Sequence, residues 1–129
     1  MEKFDKFAAL GGRILIALLF VAAGAGKLAD GGATTIPYME SMGVPTFLFW
    51  PTAVFELAAG LAIMVGFKTK FVAFLLSGFC LVTAVMAHAD FADQIQMTLF
   101  MKNVAMAGGF LILVRFGAGE FSIDNKGQS

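Results

Sequence analysis

Charge is scarce in this chain. Only 14% of its 129 residues are Asp, Glu, Lys or Arg, against roughly 25% in ordinary soluble domains. With 59% hydrophobic residues and a mean hydropathy of +0.84, that shortage excludes a soluble core and predicts an integral membrane protein embedded in a lipid bilayer. Nine basic residues balance nine acidic ones, and no basic block suggests nucleic acid. Cysteine is nearly absent. Cys80 alone cannot close an internal disulfide, so it carries no information on redox compartment and reads as a small packed or lipid-facing residue. A Rossmann fingerprint, a haem motif and a thiol pair are also missing from the sequence, so any electrons must come from a partner or a bound molecule.

What is present is a set of long apolar runs. A span needs about 20 mainly apolar residues, and four segments qualify, at roughly 7–28, 47–66, 71–88 and 97–116. Short connections at Phe67–Lys70 and Ala89–Gln96 make neighbouring helices antiparallel, which predicts an all-α, up-down four-helix bundle in one domain over 1–129. Ala23-Gly24-Ala25 after Lys3 and Lys6 imitates a signal-peptide cleavage site. The run is as long as a full span and ends on Lys27, so it reads as an uncleaved first helix. Basic residues set the orientation. With the N-terminus cytoplasmic, that side carries Lys3, Lys6, Arg13, Lys68, Lys70, Arg115 and Lys126, and the other side keeps only Lys27 and Lys102. Both termini are expected inside.

The outer connection, Ala29 to Pro45, is the longest. Thr35 as a cap, Pro37 in a first turn and Gly43 just past the end predict a short interfacial helix. Ile36, Met39 and Met42 share its apolar side, and it reads either as a lid over the bundle mouth or as a packed loop. Rows of small residues mark where backbones approach in lipid: Ala22 and Gly26, then Ala58, Ala62 and Gly66, then Ala105 and Gly109.

One carboxylate stands out against this background. Glu56 is the only ionisable group in the 21 residues from Thr46 to Gly66. Burying a charge at a helix centre in lipid costs ~2.5–3.5 kcal/mol on insertion scales, so such a residue faces the bundle interior and has a partner. Lys27, His88 and Lys102 also lie in or at the edge of apolar segments. At a rise of about 1.5 Å per residue all four fall in the outer half of the bilayer, one per helix, with Glu56 ~8–14 Å below the start of its helix. Pro51 is expected to kink that helix and free an acceptor. Lys27 and Lys102 are the candidate partners of Glu56, with Asn103 and His88 completing the hydrogen bonds. Glu56 is the candidate for proton exchange, and Lys27, His88, Lys102 and Asn103 for ligand contacts. A metal at His88, Asp90 and Asp93 is not expected, because one His and two loop carboxylates are poor ligand spacing.

Gly12-Arg13, Ala23-Gly24-Ala25-Gly26-Lys27-Leu28, Tyr38 to Pro45, Phe55-Glu56-Leu57-Ala58-Ala59-Gly60-Leu61, Gly66 to Lys70, Phe100-Met101-Lys102-Asn103 and Ser122-Ile123-Asp124 together resemble the DoxX family of small bacterial membrane proteins. The likeness covers nearly the whole chain. It departs at Gly117-Ala118-Gly119, where family members often carry Gly-Pro-Gly. The resemblance implies a four-helix fold in the bacterial inner (plasma) membrane. The family takes its name from a subunit of a thiosulfate:quinone oxidoreductase, and other members are membrane partners of oxidoreductase assemblies.

Three functions are compatible with these residues. The first is a membrane component of redox chemistry that binds a quinone-like molecule, since lysines and a histidine donate to carbonyl oxygens and a buried Glu can exchange protons. Phe47, Phe49, Trp50 and Phe55 would supply aromatic surface. The second is a non-catalytic anchor or assembly partner of a redox protein, for which a Glu–Lys salt bridge suffices. The third is a proton-coupled exporter, disfavoured by the one-sided charge bias and by lysines that repel cationic substrates. Assembly with further copies of the chain stays open.

Overall fold

The computed structural model describes residues 2–88 and 90–127, and their side chains except at 2, 87, 126 and 127. The lysine at 126, counted in the charge bias, has its side chain outside that set, and Ala89, at the start of the last connection, also lies outside it. The elements are α1 (Glu2–Asp30), α2 (Thr35–Ser41), a 3-10 turn (Thr46–Leu48), α3 (Phe49–Val65), α4 (Thr69–Ala87), α5 (Gln94–Phe116) and α6 (Ile123–Gly127). Among the described residues there is no strand. The segments Lys3–Asp30, Thr46–Val65, Thr69–Met86 and Gln94–Phe116 are long and apolar enough to cross a membrane. Their outward faces carry exposed side chains such as Leu15, Phe74, Val85 and Ile112, which suits lipid and not water.

The first helix runs further than the apolar run requires. It begins at Glu2, so Gly12-Arg13 lies well inside it and does not open it. Pro51 falls in the first turn of α3 and not in its interior. A 3-10 turn leads into the helix at Phe49, and Pro51 becomes the third helical residue, where a missing N–H has no intrahelical partner to lose. The interfacial helix forms as α2, with Met42 at its C-cap and Gly43 just beyond at φ 75°, but Thr35 is its first residue and not its cap; Thr34 holds that position and makes no side-chain cap bond.

The bundle is two tight antiparallel pairs, α1 with α3 and α4 with α5, which meet each other more sparingly. Glycine explains the first pair. A Cβ on Gly24 would stand 2.6 Å from the Leu57 backbone nitrogen, and one on Gly60 would stand 2.9 Å from that of Val21. The contact face therefore runs through Ala17, Phe20 and Gly24 on α1 and Ala53, Glu56, Gly60 and Ile63 on α3. The rows expected from sequence do not lie there: Ala22, Gly26 and Ala58 are exposed. One residue along a helix is a 100° turn, and these helices carry small residues on more than one face. In the second pair Ala105 is likewise exposed, and the buried Ser77 hydroxyl donates to Ala107 O at 3.1 Å.

The end of the bundle that holds both termini is fastened by polar groups. Arg13, 2% exposed, donates from Nη1 to Ala118 O at 2.6 Å and from Nη2 to Phe121 O at 2.8 Å and Met64 O at 3.2 Å. Asp124 accepts the Lys68 and Thr69 N–H groups at 2.6 and 2.8 Å, so a residue from the last segment caps α4. Lys68 is held at φ 48°, a left-handed conformation that L side chains rarely adopt. Its own N–H bond to Asp124 helps to keep it there.

Two tests follow from this packing. Gly24→Ala should lower the stability of the detergent-solubilised protein by about 1–3 kcal/mol through overpacking. Gly26→Ala, which meets nothing within 4 Å, should leave the thermal midpoint unchanged or slightly raised. An equal response would mean that α1 and α3 do not meet at Gly24. Partial burial would raise the Asp124 carboxyl, but the Thr69 and Lys68 donors and the Arg13 charge outweigh it and hold the group below the usual carboxylate range. The stabilisation is therefore complete above the unfolded value of about 3.9 and is lost as pH falls through the folded one. A thermal midpoint that drops on acidification in the wild type should drop less in Asp124→Asn.

Candidate functional site

The close α1–α3 contact decides where the charges meet. Glu56 lies on the buried face of α3, one position before the Leu57 backbone that Gly24 touches, and Lys27 lies one turn beyond Gly24. The Lys27 ammonium consequently reaches both carboxylate oxygens of Glu56, at 2.7 Å each. The Glu56 side chain is 7% exposed and that of Lys27 22%. Glu56 stands ~10 Å below the first residue of α3, well inside the apolar segment.

Between the two helix pairs, at the end opposite the termini, is a cavity of about 440 Å³. Phe20, which packs edge-on to Phe79 and Phe110 at 6.3 and 5.5 Å, forms its floor. Thr35, Tyr38 and Met39 of α2 lie over it. Lys27, Glu56, His88, Lys102 and Asn103 all line it. They do not, however, form one hydrogen-bonded cluster.

Lys102 is the main departure. It is not bonded to Glu56, and among the described residues it forms no ion pair. It is an exposed residue on α5, in the other helix pair, whereas Lys27 sits in the same pair as Glu56 and is brought to it by glycine packing. Asn103 does not complete the Glu56 bonds either. Its Nδ2 donates to Thr83 Oγ1 at 3.0 Å, and that hydroxyl donates to Phe79 O at 2.9 Å, which joins α5 to α4. His88, the residue that ends α4, has Nδ1 3.0 Å from Gln96 Oε1 and 3.3 Å from the Tyr38 hydroxyl. Tyr38 also donates to Gln96 Oε1 at 3.0 Å. That triangle ties α2 to the α4–α5 connection and makes the helix a cover for the cavity.

Asp93 caps α5 through the Ile95 N–H at 2.9 Å, and among the described residues no three His, Cys, Asp or Glu side chains gather. Of the aromatic residues expected nearby, Phe49 lines the cavity. Phe47 and Trp50 are exposed, and Phe55 packs on Phe79 at 5.2 Å. Sequence reasoning missed Gln96 and Thr83 as partners and Arg13 as a buried group. The signal for Arg13 was there, a charge in the body of an apolar helix, but its place in the charge bias concealed it.

Comparison with known proteins agrees with this architecture. Residues 8–89 match the DoxX family. The chain is 44% identical over 124 residues to Inner membrane protein YqjF of Escherichia coli (strain K12), covering 96% of this chain and 95% of that protein. Inner membrane protein YphA of the same organism is 35% identical over 121 residues, covering 88% and 86%. No solved structure matches.

The ion pair has a measurable signature. Removing either partner alone leaves a charge in an apolar wall, so Lys27→Met and Glu56→Leu should each destabilise by up to about 3 kcal/mol, while the double variant returns close to wild type. Denaturant titration of the four proteins reads the coupling, and additive losses would show that the two charges do not depend on each other.

Proposed function

The chain belongs to the DoxX family, and from that premise we propose that this inner membrane protein binds a quinone-like small molecule as a membrane component of redox chemistry. The observation that carries the reading is the cavity. Its volume falls in the range of small-molecule sites, roughly 300–1,000 Å³, and its mainly apolar wall with a few convergent polar groups is the usual composition of such sites. A quinone headgroup matches that wall, with an apolar ring for Phe20, Phe79 and Met106 and carbonyl oxygens for the lysines.

Reduction of a quinone to a quinol takes two electrons and two protons. The electrons come from a redox protein partner, since the sequence has no redox motif of its own. The protons reach the quinone oxygens through the Lys27–Glu56 pair, two of the titratable groups in the cavity wall. Both termini lie in the cytoplasm on this reading, and the cavity opens in the outer half of the bilayer.

The alternative is a non-catalytic membrane anchor for an oxidoreductase. Its support is the two-oxygen Lys27–Glu56 contact, which satisfies both charges with no ligand at all.

Titration of a short-chain quinone into the purified protein separates the two. The expected result is saturable binding that weakens about ten- to a hundredfold in Glu56→Gln and Lys102→Met, the loss of one charge-assisted hydrogen bond. Absence of binding in the wild type would favour the anchor, and binding that survives both changes would move the site elsewhere.

A further inference from the structure

The charges around the cavity do not cancel. Lys27 and Glu56 neutralise each other at 2.7 Å, and Lys102 is left as the one charged lining group that forms no ion pair among the described residues. It is exposed although it lines the cavity, so it stands where the cavity opens.

The direction of that opening follows from helix geometry. Lys102 is two turns from Gly109 on the same face of α5. Gly109 abuts α1, since a Cβ there would be 2.8 Å from Ile16 Cδ1. Lys102 therefore looks toward α1. The two helices touch sparingly elsewhere. Two turns from Ile16 on the antiparallel α1 is the small residue Ala23, at the height of Lys102. Between them is Leu19, which lines the cavity yet is 43% exposed. Above the Ile16–Gly109 contact the seam thus opens sideways, with an apolar rim on α1 and a cationic one on α5. Leu15 and Leu18, 72% and 51% exposed, show that the outer surface of α1 here is apolar and suited to lipid.

This builds on the ligand-binding reading above: we infer that the cavity takes a membrane-dissolved amphiphile whose negatively charged oxygen head sits on Lys102 and whose apolar chain leaves through the α1–α5 seam. A cation in a low-dielectric wall attracts an anion far more strongly than it would in water, and it rejects cationic heads. Lys102 lies ~12 Å below the start of α5, too deep for a phospholipid headgroup held at the interface. The head is therefore small, a phenolate-type or carboxylate oxygen. An ionised hydroxyquinone and a fatty acid share that chemistry.

The test uses the full-length purified protein and four probes: an alkylated hydroxynaphthoquinone, which is an anion at neutral pH, its neutral methyl ether, its unalkylated analogue, and dodecanoate. The wild type should bind the anion about tenfold or more tightly than the ether, the worth of one charge-assisted contact. Lys102→Met should erase that preference and Lys102→Arg should keep it. Leu19→Trp, which fills the seam, should weaken the alkylated anion and spare an unalkylated analogue. Equal affinity for anion and ether, or a preference that survives in Lys102→Met, overturns the inference and leaves quinone binding standing. Dodecanoate bound through Lys102 with no naphthoquinone bound supports the anionic amphiphile and removes the quinone. A Leu19→Trp variant that binds both analogues as the wild type does overturns the seam route.

Discussion

A carboxylate cannot remain charged among hydrocarbon side chains without a cation against it, and in this protein the pairing of Glu56 with Lys27 depends on how closely α1 and α3 approach. Gly24 and Gly60 permit a separation that any side chain would prevent. Given that separation, Lys27 and Glu56 fall opposite each other with no search of rotamers across a gap. The rest of the bundle takes its form from the same asymmetry. Bilayers offer no hydrophobic drive for helix association, so tight contact appears only where small residues and hydrogen bonds supply it. The α1–α3 pair has its glycines, and the α4–α5 pair has Ser77 on Ala107 O and Asn103 on Thr83. The seam between the pairs has less of either, and the cavity occupies it.

The two ends of the bundle are built differently. At the terminal end Arg13 gathers three carbonyls, and Asp124 caps α4 from a segment 55 residues further along the chain. These bonds join α1, α3, α4 and the last segment at one place and hold the terminal end of the seam together. At the other end the cover is α2, a seven-residue helix with no buried residue, attached by the Tyr38–His88–Gln96 triangle. Local opening favours elements with few buried contacts. Local opening on this basis belongs to the α2 end, where the polar lining is, and the fastened terminal end is its fixed base.

How much of this was legible in the sequence differs by residue, for physical reasons. The helices were plain because apolar runs of bilayer length have no other common explanation. Glu56 was plain because a lone carboxylate in such a run is costly wherever it points. Its partner was half-legible. Lys27 and Lys102 both fall in the outer half of the bilayer by residue count, whereas the choice between them rests on which helices pair tightly. Of the small-residue rows, Gly109 does face α1, but Ala22, Gly26 and Ala58 turn away from the tight contact, since a face shifted by one residue is turned by 100° and both faces of these helices carry Ala and Gly. Arg13 was read as a marker of topology when it is also a buried hub. Gln96 and Thr83 had no signal of their own, because a polar uncharged residue near a helix end is ordinary until its neighbours are known.

The position of the ion pair bears on why it is there. A buried pair contributes little net stability, and well-packed apolar residues of the same volume often do as well or better. Register between α1 and α3 is already fixed by two glycine contacts on the terminal side of the pair, at Gly24–Leu57 and Gly60–Val21, so the charges add little to alignment. A pair kept for packing alone has no reason to face open volume, yet Lys27 remains 22% exposed and both residues line the cavity. The pair neutralises itself and still presents donors and acceptors to whatever enters. Because it is neutral as a unit, the one charge on the cavity wall without an ion-pair partner among the described residues is Lys102, so the paired charges belong to the α1–α3 pair and the unpaired one to α4–α5.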